Sequence, residues 1–397
     1  MIRLIELFGG IGAQAQALKN LGIPFEHYRL VEYDKYPVKS YNAIHGTNFE
    51  PMDIRNVHGP DLGIVDTYIH TYILTYSFPC QDLSVAGKQK GMSKGSGTRS
   101  GLLWEVERLL NETEELPQIL LMENVPQVHN EQNTSDFSDW LDFLASKGYF
   151  NYYEDLNAKD FGIPQNRERC FCVSMLNPMF YIFPFPTGTD KKLKDVLEDD
   201  VEPKYYIKGE KVRKLISDLV LSGRLLSKQA SKQGCNLSTN NPRVIERANC
   251  IKARYDSGIS NLQADGTGVV EIAQKDNLIL QIKANTKDGY TNMVLPGLVD
   301  CTYPDLTTQE PEIYYVELAP PDEYTSAFTD GENIYHIKLR KLTPRECWRL
   351  MGFSDEAFDK ASKVNSNTQL YKQAGNSIVV NVLMAIFKQM NLEEKEA

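Results

Sequence analysis

A short apolar run over residues 2–8 ends on Gly9-Gly10-Ile11-Gly12 and leads at once into a helix-forming stretch over 13–21. A strand that turns directly into a helix needs a crossover before its next parallel partner. The rest of the first 180 residues repeats that rhythm. Strands are predicted over 28–32, 67–76, 118–122 and 170–175, and helices over 35–44, 102–110 and 137–145. Such alternation predicts an α/β fold, Rossmann-like, with a mostly parallel sheet and helices on both faces.

At 397 residues the chain exceeds what one core holds, so more than one domain is expected. The rhythm changes near residue 184, where Phe183-Pro-Phe-Pro-Thr-Gly-Thr reads as a linker. Short strands and polar turns follow, with turn signals at Asp265-Gly-Thr-Gly and Lys287-Asp-Gly. Regularity returns after Leu339. Thr343 as N-cap, Pro344 at the first helical position and Glu346 mark a helix start, and another helix is expected after Asn376. The expected division is 1–185, then a smaller, irregular, β-rich domain over 186–335, then 336–397 returning to the first domain.

A content of 42% hydrophobic and 24% charged residues excludes disorder as the main theme. No run of 18 apolar residues exists, so no membrane span is expected. Arg3 and Glu6 interrupt the leading apolar run, which argues against a signal peptide and for a cytoplasmic protein. The seven cysteines include no Cys-x-x-Cys pair, and the six histidines show no ligand spacing, so no metal is expected.

The net charge of −10 argues mildly against a nucleic-acid partner, but its distribution does not. From Lys204 to Arg254, twelve basic residues face three acidic ones; from Asp300 to Glu332 there are nine acids and no Lys or Arg. Such a chain can turn one basic face to a phosphate backbone, or can carry two unrelated solvated surfaces.

The glycines at 9, 10 and 12 could let backbone approach a ligand at a helix N-terminus, or could only make a tight turn. Glu32, twenty residues after Gly12, stands where a carboxylate can bind ribose hydroxyls. Cys80 follows the third strand within Pro79-Cys80-Gln81, as a nucleophile or as a buried, inert thiol. Residues 82–101 add Gly87, Gly91, Gly95, Gly97 and Gly101 with Lys88, Lys90, Lys94 and Arg99, which reads as a cationic lid or an ordinary loop. Glu123 ends the fourth predicted strand on the same rim, as an acid or a cap. Gln165, Arg167 and Arg169 alternate along an extended segment. They can share a face that holds a polar base or phosphate, or merely border a strand.

Taken together these blocks resemble the DNA (cytosine-5) methyltransferases. The match rests on Phe8-Gly-Gly-Ile-Gly12, Pro79-Cys-Gln81, Glu123-Asn-Val125 and Gln165-x-Arg-x-Arg169, in the family's order. It closes with the pair Arg340-Lys-Leu-Thr-Pro-Arg-Glu-Cys-Trp-Arg-Leu-Met-Gly-Phe353 and Gln373-Ala-Gly-Asn-Ser377. Glu6 and Tyr33 stand where Asp and Trp are common. The resemblance implies an S-adenosylmethionine-dependent enzyme, with S-adenosylhomocysteine as product, that flips a cytosine out of double-stranded DNA. By resemblance Cys80, beside Gln81, attacks C6, Glu123 holds the N3/N4 edge, Arg167 binds the base carbonyl, and Arg169 supports Glu123 or a phosphate. Phe8, Gly10, Gly12, Glu32, Tyr33, Asp53, Ile54, Asn376 and Ser377 are the implied cofactor contacts. The middle domain is implied to recognise the target. A monomer is expected, with a cognate restriction endonuclease a possible companion not required for activity. Three alternatives stand beside this: a tRNA cytosine-5 methyltransferase, a nicotinamide-dependent oxidoreductase, which leaves Pro79-Cys-Gln81 without a role, and an inactive binding homologue.

Overall fold

The computed structural model describes residues 1–83, 90–176, 180–222, 225, 231–240, 242–253, 259, 266–277, 324–329 and 333–392. The chain forms two units. One comprises Met1–Lys191, Lys252–Arg254 and Pro344–Ala397; the other comprises Lys192–Ile251 and Tyr255–Thr343.

In chain order the first unit begins β1 (Ile2–Leu7), α1 (Ala13–Leu21), β2 (Phe25–Val31), α2 (Lys35–His45), β3 (Thr71–Tyr76) and α3 (Leu103–Glu112). It continues β4 (Ile119–Asn124), α4 (Thr134–Ser146), β5 (Phe150–Asn157) and β6 (Glu168–Met175). The sheet order is β2-β1-β3-β4-β6-β5. β1 to β4 are parallel and β5 runs in their direction, while β6, between β4 and β5, is antiparallel to both, so the sheet is mostly parallel, as expected, and mixed through one reversed strand. β5 has no counterpart among the expected strands. Its sequence, FNYYEDLN, leaves most positions half-buried or exposed, as an edge strand allows, so no alternation of polar and apolar residues announces it. β3 starts at Thr71, four residues later than expected, because residues 67–69 form a turn.

Tyr72, Leu74 and Tyr76 of β3, Leu120 and Met122 of β4, Val106, Leu109 and Leu110 of α3 and Trp140 of α4 share one buried cluster. The Trp140 indole N–H donates to the Tyr76 hydroxyl at 3.2 Å, which satisfies the polar atom that burial would otherwise strand.

The second unit contains α5 (Glu210–Leu221) and the strands β7 (Lys232–Asn236), β8 (Val244–Ile245), β9 (Thr267–Asn277), β10 (Thr325–Thr329) and β11 (Asn333–Lys341). They form one antiparallel sheet, β10-β11-β9-β7-β8. Val212, Leu215, Ile216 and Leu219 lie at helical spacing along α5 and pack in one cluster with Val270, Ile337 and Leu339. β11 pairs with both β9 and β10 and keeps the chain in this unit to Thr343, past the expected change at 335. At the other boundary the first unit runs to Lys191 instead of 185, because the Asp160 carbonyl accepts the N–H groups of Thr187 and Gly188.

The chain returns as α6 (Pro344–Arg349), α7 (Asp355–Ser362), α8 (Asn367–Asn376) and α9 (Val380–Gln389). α9 packs on α1 and α7 on α2. Lys252 and Ala253 pass so close to Gly375 that a side chain there would collide with their backbone. Among the described residues no helix is long and apolar enough to cross a membrane.

Candidate active site

Four parallel strands end on one line. Val31, Leu7, Tyr76 and Met122 are register partners from β2 through β1 and β3 to β4. Glu32, Phe8, Ser77 and Glu123 follow them at one carboxyl edge, where open α/β sheets hold ligands. β6 runs the other way, with Cys170 opposite Asn124, so Arg169 reaches the same edge.

The β1–α1 turn is built from left-handed residues: Phe8 at φ 56°, Gly10 at 56° and Gly12 at 78°. Gly12 is the N-cap of α1, and a Cβ there would strike His45 Nε2 and the Tyr41 ring. Gly10 is different, since a Cβ there would meet nothing within 4 Å. Open space therefore lies against its backbone, as a ligand cradle requires. The Gly10 N–H donates to Glu32 Oε2 at 3.1 Å, and the Asp34 N–H to Oε1 at 2.8 Å. Burial pushes the Glu32 carboxyl up, and these N–H groups pull it back.

Tyr33 is 74% exposed. Asp53 caps the turn Ile54–Asn56 and pairs with Arg55 Nη2 at 2.5 Å, a hydrogen-bonded contact that holds its carboxyl below the ordinary range. The Ile54 side chain lies in the core, which leaves its backbone as the group a ligand could meet. α8 reaches this region through Lys372 Nζ, 2.7 Å from Asp34 Oδ2, and Gln373, which accepts from the buried Ser40 hydroxyl at 2.9 Å.

The Cys80 turn is pinned on both sides. The Asn124 amide donates to the Phe78 carbonyl at 3.0 Å, and the Ser100 hydroxyl donates to the Pro79 carbonyl at 2.6 Å. Cys80 is half-buried. Burial pushes its thiol up; Arg169 and Arg167 pull it down, and Glu123 pushes it up. Glu123 is buried, with Arg169 Nε 3.2 Å from its Oε1. Burial raises its carboxyl, opposed by Arg169 and Arg167. The structure therefore gathers Cys80, Glu123, Arg167 and Arg169 into one electrostatic cluster.

Other expected groups turn elsewhere. Gln165 does not share a base-holding face. It is buried, and its amide donates to the Leu350 carbonyl at 2.7 Å. Arg167 Nη2 donates to the carbonyls of Gly375 and Ser377 at 3.0 and 2.7 Å, so the C-terminal turn holds this guanidinium. Asn376 lies between those two residues at the end of α8 and is exposed. Gln81 is exposed and accepts from Arg99 Nη1 at 2.5 Å.

Of the expected lid, residues 84–89, with Gly87 and Lys88, lie outside the described residues. Its second half is anchored rather than open. Met92 is buried with its carbonyl accepting from the Trp104 indole at 2.7 Å, and Lys94 pairs with Glu107 at 2.7 Å.

A family model for C-5 cytosine-specific DNA methylases matches residues 2–392. The chain belongs to that family. This methyltransferase is 31% identical to the type II methyltransferase M2.ScrFI of Lactococcus lactis subsp. cremoris, over 98% of this chain and 99% of that protein. It is 29% identical to the orphan methyltransferase M.SPRI of Bacillus phage SPR, over 98% and 97% of the two chains. Its fold matches the Entamoeba histolytica methyltransferase EhMeth at 17% identity and a TM-score of 0.61, covering 99% of each chain. The enzyme is thus an S-adenosylmethionine-dependent DNA cytosine-5 methyltransferase, and the oxidoreductase reading falls away. The groups that pin the Cys80 turn, Asn124 and Ser100, escaped sequence reasoning. Asn124 sits inside the Glu-Asn-Val block and was open to discovery there, whereas nothing in the sequence marks Ser100.

Proposed function

We propose that Cys80 is the nucleophile of this DNA methyltransferase and that Glu123, Arg167 and Arg169 hold the target base against it. The observation that carries the proposal is the shared carboxyl edge, with Cys80 pinned beside Glu123 and the open backbone of Gly10 at the end of the strand next to that of Cys80. Cytosine C5 is a poor nucleophile. Addition of the Cys80 thiolate to C6 forms an S–C6 bond and turns the ring into an enamine, dividing one hard step into easier ones. Glu123 faces the N3/N4 edge and supplies the proton that N3 gains as the thiolate adds. Arg167 and Arg169 steady the charge that develops on the ring and on Glu123. S-adenosylmethionine, held by the Gly10 backbone, Glu32 and the Tyr33 ring with Asp53, Ile54, Asn376 and Ser377 around it, supplies the electrophilic methyl group. A water molecule takes the C5 proton and N3 returns its proton to Glu123, so the S–C6 bond breaks and Cys80 leaves as thiolate. The base leaves the duplex to reach this edge, because a stacked cytosine hides C6.

The second unit is the target reader in this account. The enzyme works as a monomer in the cytoplasm of a bacterial or phage-infected cell, requires no metal for catalysis and needs no companion endonuclease. Bisulfite sequencing of DNA from cells expressing the wild type and Cys80→Ser tests the assignment. A serine hydroxyl is not appreciably ionised at neutral pH. The variant should leave cytosines unmethylated while purified protein still binds S-adenosylmethionine. Methylation within tenfold of wild type would refute the nucleophile.

A further inference from the structure

The histidines show no ligand spacing along the chain, yet folding gives one of them metal-binding company. His129, in the turn Pro126–His129 that follows Glu123-Asn-Val125, has Nε2 3.0 and 3.1 Å from the two carboxylate oxygens of Asp155 on β5. Asp155 is the register partner of Cys170 on β6, and adjacent antiparallel partners put their side chains on one face. One nitrogen, one carboxylate oxygen and one sulfur from three separate elements thus lie within 4.8 Å of one another.

Side chains alternate across a strand, so Cys170 and Arg169 point to opposite faces of the sheet. The trio is therefore a separate constellation from the Glu123–Arg169 pair, although it adjoins that pair along the backbone. Its size fits a cation. With zinc-to-nitrogen and zinc-to-oxygen bonds of about 2.0–2.1 Å and a zinc-to-sulfur bond of about 2.3 Å, tetrahedral geometry places ligand atoms about 3.3–3.6 Å apart. The His129–Asp155 contact at 3.0 Å and the 4.8 Å limit on all three donors bracket that spacing. The His129 and Asp155 side chains are each 30% exposed, which leaves an entry path and a fourth position for water. Mixed N, O and S donors select borderline-soft ions over magnesium or calcium.

We propose that His129, Asp155 and Cys170 form a three-ligand site for a borderline-soft divalent cation of the zinc class. Binding displaces the thiol proton of Cys170 and any proton between His129 and Asp155. It ties the turn after Glu123 to β5 and β6, and so stiffens the sheet beneath Arg169. The site stands apart from the methyl-transfer chemistry, and its occupancy changes rigidity rather than supplying a reactant.

The test is titration of the full-length, metal-stripped protein with cobalt(II), followed by near-ultraviolet and visible absorption, with zinc competition. Wild type should develop a thiolate-to-cobalt charge-transfer band at one equivalent, and zinc should abolish it. Cys170→Ser, nearly isosteric, should lose the band. His129→Gln, at a partly exposed position that spares the core, should weaken binding by about tenfold or more, as even outer-shell changes do. Thermal unfolding of each variant without metal shows that it is folded. No band in folded wild type, or an equal band in folded Cys170→Ser, overturns the proposal.

Discussion

Arg169 Nε stands 3.2 Å from Glu123 Oε1, and both side chains are mostly buried at the edge that carries Cys80. Removing one partner of such a pair leaves the other charge without its counter-ion in a poorly solvated place. Arg169 favours the thiolate of Cys80, and Glu123 disfavours it. Arg169→Met should therefore move the alkylation midpoint of Cys80 to higher pH, and Glu123→Gln should move it to lower pH. Mass spectrometry of the Cys80 peptide after iodoacetamide pulses across a pH series reads both shifts. Arg169→Met should also lower kcat/KM by about a hundredfold, the scale for losing one preorganised electrostatic group. Midpoints that stay together would show that the cluster does not set the thiol.

The glycines at 10 and 12 should separate folding from binding. Alanine at either site bears the left-handed backbone cost of roughly 1–2 kcal/mol. Only Gly12→Ala adds a collision with His45 and Tyr41, so its melting temperature should fall further. Gly10→Ala projects a methyl group into open space and should stay folded while calorimetric affinity for S-adenosylmethionine drops about tenfold or more. Full cofactor affinity in Gly10→Ala would remove that backbone from the cofactor site.

The basic run Lys204–Arg254 belongs to the second unit except for Lys252 and Arg254, which fall in the first. Lys232 Nζ donates to the carbonyls of Glu198 and Asp199 at 2.7 and 2.6 Å and so serves the fold, whereas Lys204 forms an exposed pair with Glu202 at 2.7 Å. Arg224, Lys228, Arg254, the turn signal at Lys287 and nearly all of the acidic stretch 300–332, including all nine of its carboxylate side chains, lie outside the described residues, as does Asp265, whereas Thr267 and Gly268 of the turn expected there belong to β9. Arg243 and Arg247 are exposed. If they contact phosphates, Arg243→Gln with Arg247→Gln should weaken binding to all DNA sequences and reduce the log–log salt slope by about 0.9 per lost contact. Fluorescence anisotropy across a salt series measures it, and an unchanged slope marks the pair as solvated surface.

Much of this site is legible in the sequence because local chemistry dictates it. A strand running into Gly9, Gly10 and Gly12 has one economical fold, and Cys80 and Glu123 follow strands whose apolar content is plain. What escaped depends on distant partners. Gln165 and Arg167 sit on one predicted face, yet each bonds carbonyls about two hundred residues away, Leu350 for one and Gly375 and Ser377 for the other. Arg55, two residues on, donates to Asp53, a local pairing that sequence proximity makes legible and that competes with the ligand role expected of Asp53. β5 was missed because an edge strand needs no apolar alternation, and with it went Asp155 and its meeting with His129.

The central claim is a covalent bond between Cys80 and C6 of a flipped cytosine. Bisulfite sequencing first supplies the methylated site, and a duplex carrying 5-fluorocytosine at that position is then incubated with the enzyme and S-adenosylmethionine. Fluorine cannot leave C5 as a proton, so the S–C6 bond cannot be released. The account predicts a denaturant-stable protein–DNA complex whose proteolysis places the modified base on the peptide containing Cys80, and no complex with Cys80→Ser. A methylating enzyme that yields no stable complex, or one that carries the base on another residue, would contradict it.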